Sequence, residues 1–230
     1  MLAVSISGQT SELFCERIRQ AVREGAQAVE LRIDYLREPN AAGIAALVRP
    51  ARDRKVSVIA TCRDRAQGGA SDWPTEQRID LLEAALDAGA DFVDCEFSHY
   101  VRQPVQTRLK AALARNPKAR LILSAHDFSG PFEDLNELYE SIVTVCPEAI
   151  AKLVYTARHI NDCFEGLDLL HDADRDVIVL AMGPAGHMSR VLAKKAGGFL
   201  TFACLGEKEA TAPGQVPIRQ MKDLYRWDRL

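Results

Sequence analysis

Two residues that could combine covalent and acid–base chemistry lie in neighbouring apolar segments of the chain. Lys152 interrupts the apolar run Ala151–Tyr155, and His126 ends the segment Leu123–His126. A lysine that is buried beside other cations can lose its proton and attack a ketone to form a Schiff base. A histidine on the next strand, roughly 5 Å away, could act as a general base on the same small substrate. The pair therefore indicates imine chemistry coupled to proton transfer.

Each of these residues also fits a structural role when it is taken alone. The Lys152 ammonium could reach solvent from a buried stem, and His126 could be a hydrogen-bonded histidine at a strand end. Arg190, within Met188–Val191, could lie on a solvated helix face. The segment Glu209–Gln215 could be a simple turn, since it contains a Pro-Gly pair. The functional interpretation therefore depends on the combination of residues.

Further ionisable side chains occur where a purely structural strand would be apolar. Side chains alternate across a strand, so Glu30 and Arg32 share one face, and so do Asp94 and Glu96. If the apolar residues between them pack against helices, these charges point into the interior of a barrel. Arg63 directly follows another apolar segment. In barrels of alternating strands and helices, active sites lie at the carboxyl ends of the strands, which is where we expect these charges to meet.

Eight short segments rich in β-branched residues alternate with amphipathic segments along the 230 residues. This alternation predicts repeated βαβ units, and their number predicts a (β/α)8 TIM barrel that forms a single domain over residues 1–230. The predicted strands are Ala3–Ser7, Ala28–Ile33, Val56–Cys62, Phe92–Phe97, Arg120–His126, Ile150–Tyr155, Asp176–Met182 and Phe199–Cys204. The predicted helices are Ser11–Glu24, Thr75–Ala88, Phe132–Val145 and Val216–Asp228. A doubly wound open sheet is the alternative, but Ser5–Gln9 lacks the GxGxxG phosphate loop.

Composition and charge exclude several classes of function. A net charge of −3 and a pI near 6.0 give no basic excess for a nucleic-acid backbone. The six cysteines form no CxxC pair, which favours free thiols over zinc ligands or disulfides, and no histidine spacing indicates a metal. No apolar run approaches membrane-spanning length, and the N-terminal segment lacks signal-peptide features. We therefore expect a cytoplasmic protein with no membrane or nucleic-acid partner.

Several segments together make the chain similar to the type I 3-dehydroquinate dehydratases, from Val4 to the final predicted helix. These segments are Glu30–Asp34, Arg63 with Gly68-Gly69, Ser124–Phe128, Ala151–Leu153, Met182–Arg190, Leu200–Phe202 and Ala212–Gln215. The resemblance implies a (β/α)8 barrel that removes water from 3-dehydroquinate by syn elimination, through a lysine Schiff base, and releases 3-dehydroshikimate. It also implies a role in the shikimate pathway of aromatic amino acid biosynthesis, a homodimer, and no cofactor or metal.

The resemblance also assigns roles to individual residues. Lys152 matches the imine-forming lysine, and His126 matches the general acid and base. The residues that match the group holding the substrate carboxylate are Arg190, Thr211 and Gln215. Those that match the group holding the ring hydroxyls are Glu30, Arg32 and Arg63. Residues expected beside or behind these groups are Gln67, Asp94, Glu96 and Met182.

Two positions depart from the family pattern. Gln67 stands where the family commonly has a glutamate near the catalytic histidine, and a neutral amide cannot favour the imidazolium as a carboxylate does. Thr211 replaces the usual serine of the SAPGQ segment and keeps its hydroxyl.

Two rival functions remain compatible with a barrel of this kind. One is a class I aldolase, whose phosphorylated substrates are held by glycine-rich amides after the seventh and eighth strands. Arg190 and the Ala212–Gln215 segment favour a carboxylate clamp instead. The other is a non-catalytic sensor of the same ligand, which predicts loss of Lys152 or His126, and both are present.

Overall fold

Nine parallel strands form one curled sheet in the computed structural model, which describes residues 1–230. The strands are β1 (Leu2–Ile6), β2 (Ala28–Arg32), β3 (Ser57–Thr61), β4 (Phe92–Glu96), β5 (Arg120–Asp127), β6 (Ile150–Thr156), β7 (Val177–Met182), β8 (Thr201–Cys204) and β9 (Val216–Pro217). Their order is β7-β6-β5-β4-β3-β2-β1-β8-β9. Each of the first six strands pairs with the next strand along the chain, and β8 pairs with β1, as in a barrel. The eight predicted strands are confirmed, with ends that differ by at most two residues.

Helices follow the strands and cover the outer face of the sheet. They are α1 (Ser11–Arg23), α2 (Ala41–Asp53), α3 (Thr75–Asp87), α4 (Phe97–Tyr100), α5 (Gln103–Arg115), α6 (Leu135–Val145), α7 (Phe164–Asp172), α8 (His187–Leu192) and α9 (Ile218–Asp223). An apolar cluster of 53 buried residues joins this layer to the sheet, and it includes Leu31, Ile33, Val93 and Cys95. These four residues therefore pack toward the helices, which directs the charged residues that alternate with them into the barrel. None of the helices has the length and apolar composition needed to cross a membrane.

On β5 and β6, polar inward-facing residues follow apolar ones along the strand. On β5 the inward series runs Ile122, Ser124, His126, and on β6 it runs from Ile150 to Lys152. The register pairs Ile122 with Ile150 and Ser124 with Lys152. The apolar ends belong to a cluster of 11 buried residues, so this cluster fills the barrel at the amino ends of the strands. The polar side chains are left at the carboxyl ends.

The sheet is interrupted between β7 and β8, which form no ladder. The Phe199 backbone N–H donates to Val177 O at 2.9 Å across this seam. Farther along β7, the Ala181 backbone N–H donates to the Ser189 hydroxyl of α8 at 2.8 Å. Because Ser189 of α8 accepts the hydrogen bond from the Ala181 N–H, this part of β7 does not need β8 as a hydrogen-bonding partner. The seam places α8 close to the barrel interior.

Two of the four predicted helices differ from the observed helices by more than one residue at an end. The final segment Val216–Asp228 is not one helix, because Val216–Pro217 pairs with β8 and Arg226 has a positive φ of 53° that helical backbone does not allow. Only Ile218–Asp223 is helical there. The predicted helix Phe132–Val145 begins at Leu135, because the Asp134 side chain caps it by accepting from Glu137 N at 2.8 Å.

Candidate active site

A pocket lies at the carboxyl ends of the strands, where the active sites of this fold occur. Ten of the twelve predicted site residues line it: Glu30, Arg32, Arg63, Gln67, His126, Lys152, Met182, Arg190, Thr211 and Gln215. The other lining residues are Gly68, Phe128, Val154, Leu180, Phe202 and Ala212. Asp94 and Glu96 do not line the pocket, but both contact Arg63. The predicted residues are therefore brought together at one place.

Lys152 lies on β6 and is only 4% exposed, so the alternative in which its ammonium reaches solvent is wrong. Its Nζ donates to Asp94 Oδ2 at 2.7 Å and lies 3.5 Å from Glu30 Oε1. The Phe202 ring faces the same atom, with its centroid 4.3 Å away, a cation–π distance. The amine is therefore fixed between two carboxylates and an aromatic face.

The Asp94 carboxylate joins Lys152 to a second buried cation. Its Oδ2 also accepts from Arg63 Nη2 at 2.7 Å, and its Oδ1 accepts from Ser124 Oγ at 2.6 Å. Burial opposes the charge, but Arg63 and Lys152 outweigh it and hold the pKa of Asp94 well below its usual range. Arg63 Nη1 also donates to Glu96 Oε1 at 2.8 Å. Both terminal nitrogens of Arg63 are thus bound to protein carboxylates.

Glu30 connects the amine to the loop that covers the pocket. Its Oε2 accepts from Ser5 Oγ at 2.6 Å, and its Oε1 accepts from Thr61 Oγ1 at 2.9 Å. Ser5 Oγ in turn accepts from Gln215 Nε2 at 3.3 Å. Gln215 Oε1 closes the turn by accepting from the Thr211 backbone N–H at 2.8 Å. The covering loop is therefore linked by hydrogen bonds to a carboxylate that lies beside Lys152.

His126 is half-buried at the end of β5, where its Nδ1 lies 3.0 Å from Gln67 Oε1. An amide oxygen only accepts, so Nδ1 carries the proton and Nε2 keeps its lone pair. Gln67 is oriented by Ser98, whose Oγ accepts from Gln67 Nε2 at 3.3 Å. Burial, followed by the nearby Arg63 and Lys152 cations, holds the pKa of His126 well below its usual value. The imidazole is therefore suited to accept a proton.

The loop that carries Gln67 is held by a second ion pair. Arg32 Nε and Nη2 donate to the two oxygens of Asp34 at 3.0 and 2.8 Å, a bidentate geometry. Asp34 also accepts from the backbone N–H of Arg63 and of Ala70. Gly69 lies so close to the backbone that a Cβ there would be 2.1 Å from Arg63 O. Only glycine allows this close approach, and it brings the Gln67 loop over the pocket.

Arg190 on α8 is the buried arginine of this site that has no carboxylate partner. It is 2% exposed, so the solvated-face alternative is wrong. Its Nη2 donates to Pro213 O at 3.2 Å, and its Nε has no protein partner. Burial lowers the pKa of Arg190 to about 10. A buried, unpaired guanidinium beside Thr211 and Gln215 is a strong signal for an anionic ligand, since an isolated buried charge is otherwise costly.

Four residues of this network were not singled out by the sequence analysis. Ser5, Thr61 and Ser124 bind the buried carboxylates, and Phe202 faces the amine. Strand alternation contains the signal, since Ser5 is in register with Glu30 and Ser124 is in register with Lys152. A small polar residue that is in register with an inward charge is thus a candidate partner.

The chain matches the family model described as type I 3-dehydroquinase over residues 2–230. It is 34% identical over 206 residues to a 3-dehydroquinate dehydratase of Dehalococcoides mccartyi, covering 88% of this chain and 86% of that protein. A Coxiella burnetii 3-dehydroquinate dehydratase is 30% identical over 229 residues, covering 98% and 92%. The crystal structure of the Aquifex aeolicus enzyme superimposes with a TM-score of 0.84 over the whole of both chains, at 24% identity, which supports the fold. The chain therefore belongs to the type I 3-dehydroquinase family.

Proposed function

We propose that the chain removes water from 3-dehydroquinate through a Schiff base on Lys152, with His126 as the general acid and base. The observation that carries this proposal is one pocket that holds a buried amine, a neutral imidazole and an unpaired buried arginine. The substrate offers a matching group to each: a ketone, an acidifiable C–H bond and a carboxylate. The family membership supports the same reaction.

Substrate orientation follows from the distribution of charge. The carboxylate binds Arg190, because every other buried arginine of the site already contacts a protein carboxylate. Thr211 and Gln215 add hydroxyl and amide donors at the same end of the pocket. The ring hydroxyls then face the group of Glu30, Arg32 and Arg63, and the ketone faces Lys152. Because Arg63 has both terminal nitrogens occupied, it serves chiefly to hold Asp94.

The first chemical step makes an electron sink. Once the Lys152 ammonium gives up a proton to solvent, Nζ attacks C3 of the substrate and a neutral carbinolamine forms. The carbinolamine hydroxyl then takes up a proton from solvent and leaves as water, which gives an iminium. Asp94, whose oxygen lies 2.7 Å from Nζ, and Glu30 at 3.5 Å stabilise this positive charge. The cation–π interaction with the Phe202 ring does not require an N–H donor. The ring can therefore stabilise the iminium as well as the ammonium.

The second step is elimination. His126 Nε2 takes the proton from C2, and the electron pair of that bond moves toward the iminium to form an enamine. The enamine then expels the C1 hydroxyl, which leaves as water with the proton from the same imidazolium. Hydrolysis of the product iminium releases 3-dehydroshikimate and restores the amine. General acid–base catalysis by a histidine raises the reaction rate by about 10²–10⁴-fold. Covalent activation and positioning of the substrate supply the remaining rate enhancement.

The pathway and the homodimer are expectations that rest on the family resemblance. We expect a homodimer of single-domain (β/α)8 barrels, located in the cytoplasm and working in the shikimate pathway. The presence of all nine strands in one sheet supports one domain. A non-catalytic sensor is the remaining alternative, and an absence of turnover in the following assay would favour it.

Lys152→Met should abolish turnover and leave the fold intact, because methionine fills a similar volume but has no amine. Turnover is measured as the rise in ultraviolet absorbance when 3-dehydroshikimate forms. Borohydride added with substrate should inactivate the wild type and leave one adduct on the peptide that contains Lys152. Lys195→Met, at an exposed position, is the matched control and should keep wild-type turnover. An adduct on Lys194, Lys195 or Lys208 would contradict the assignment.

Arg190→Ala should raise KM and lower kcat, because binding energy at the carboxylate also orients the reacting ring. The expected loss in kcat/KM is about 2–4 kcal/mol, as for a charged hydrogen-bonding partner. Arg115→Ala, on the exposed face of α5, is the control and should change neither constant. A kcat/KM that Arg190→Ala leaves at the wild-type value would exclude the arginine from the substrate site.

Gln67→Glu should move the acid limb of the kcat/KM profile to higher pH. A carboxylate 3.0 Å from Nδ1 favours the imidazolium and raises the pKa of His126. The base works in its neutral form, which exists above that pKa. In the native protein, burial and the Arg63 and Lys152 cations lower this pKa, so activity should persist to lower pH than in the variant.

The control for the Gln67→Glu experiment is Gln103→Glu, which adds the same charge at an exposed position of α5. Both variants and the wild type are compared at one ionic strength, because surface charges are screened by salt. Acid limbs that superimpose for all three proteins would show that residue 67 does not tune the base.

A further inference from the structure

A buried arginine outside the barrel reaches toward the site from the helix layer. Arg78 lies on α3 and is 3% exposed. Its Nη1 donates to Glu96 Oε2 at 2.9 Å, and its Nη2 donates to Asp64 Oδ2 at 2.8 Å. Burial of a guanidinium is unfavourable unless the group is well paired. Arg78 is therefore committed to two carboxylates that both lie close to the pocket loop and strand ends.

The contact with Glu96 begins an alternating series of charges that ends at the amine. Glu96 Oε1 accepts from Arg63 Nη1 at 2.8 Å. Arg63 Nη2 contacts Asp94 Oδ2 at 2.7 Å, and the same oxygen accepts from Lys152 Nζ at 2.7 Å. Four contacts thus connect Arg78 to Lys152, and the two carboxylates of the series are each shared between two cations.

The outer end of this series is itself fixed. Asp64 Oδ2 also lies 2.6 Å from His99 Nε2, and the Asp64 backbone N–H donates to Glu96 Oε1 at 2.9 Å. Arg78 therefore cannot change rotamer without breaking contacts with Asp64, Glu96 and His99. In contrast, Glu96 Oε2 accepts from Arg78 alone. Removal of the Arg78 guanidinium would free one oxygen of Glu96 and let that carboxylate rotate away from Arg63.

We propose that Arg78 is a positioning residue for the Lys152 amine, which it holds in place through Glu96, Arg63 and Asp94. The inference rests on the proposed dehydratase function, because its effect is on imine formation. Arg78 does not line the pocket, and its links to the pocket residues run through Glu96 and Asp64. Its loss should therefore not weaken substrate binding directly. Its loss should lower kcat and leave KM nearly unchanged. A purely structural ion pair would instead change stability without a selective effect on the chemical step.

The test compares Arg78→Met, Arg78→Lys, Glu96→Gln and the double variant Arg78→Met/Glu96→Gln. The matched control is Arg108→Met, which removes a similar helix-layer ion pair, with Glu83, that has no connection to the pocket. The measurements are kcat, KM, the single-turnover rate at which borohydride traps the Lys152 adduct, and stability in urea. The double variant removes both charges of the pair, so it leaves no unpaired Glu96 carboxylate if Arg78→Met alone fails to fold.

Arg78→Met should lower kcat and the trapping rate by about 10- to 100-fold, as small misplacements of reacting groups do, with KM changed less than about threefold. Arg78→Lys should lie between this variant and the wild type, because one ammonium can still reach Glu96. The double variant should be no slower than the slower single variant, since both act through one series of contacts.

Three results would overturn the inference while the wild type still turns over. They are wild-type kcat in folded Arg78→Met, wild-type kcat in the double variant, or losses that multiply in the double variant. A wild type that neither turns over nor gives the Lys152 adduct would contradict the proposed function, and this inference with it.

Discussion

The Asp94 carboxylate contacts two buried cations at once, and the geometry of the site depends on these two contacts. Its Oδ2 lies 2.7 Å from both Lys152 Nζ and Arg63 Nη2, while Ser124 holds the other oxygen. A buried cation that loses a partner is destabilised. Removal of Asp94 would leave Lys152 with Glu30 alone, 3.5 Å away, and Arg63 with Glu96 alone. Together the two cations keep the pKa of Asp94 well below its usual range, so the carboxylate stays charged in the free site and is present when the iminium forms.

The barrel can hold such a charged network because its apolar and polar residues lie in separate layers. An apolar cluster of 11 residues fills the amino ends of the strands, and the cluster of 53 residues joins sheet and helices. Between them, each inward charge of β2 to β6 meets an opposite charge on a neighbouring element. Arg190 differs because it has no such partner. The pocket thus has one positive charge that no protein carboxylate matches, and in our proposal this charge binds the carboxylate of the substrate.

Much of this arrangement follows from the sequence because strand alternation is a strict geometric rule. The recurring apolar segments predict the eight strands, and the alternation of side chains predicts the inward direction of Glu30 and Asp94. It does not predict which carboxylate each cation contacts, because that depends on register between strands distant in sequence. Arg78 was unpredictable for a different reason: a single arginine on an amphipathic helix normally faces solvent. The prediction of the last helix was wrong because the apolar periodicity of the segment did not reveal that Val216 pairs with β8.

The account is tested most directly by a crystal structure of the adduct formed when borohydride reduces the enzyme with its substrate. We expect continuous density from Lys152 Nζ to the former ketone carbon, with Asp94 still within hydrogen-bonding distance of both that nitrogen and Arg63. The ligand carboxylate should contact Arg190, Thr211 and Gln215. A ligand attached to another lysine, a carboxylate directed toward Arg32, or an Asp94 side chain turned away from the new C–N bond would contradict the account.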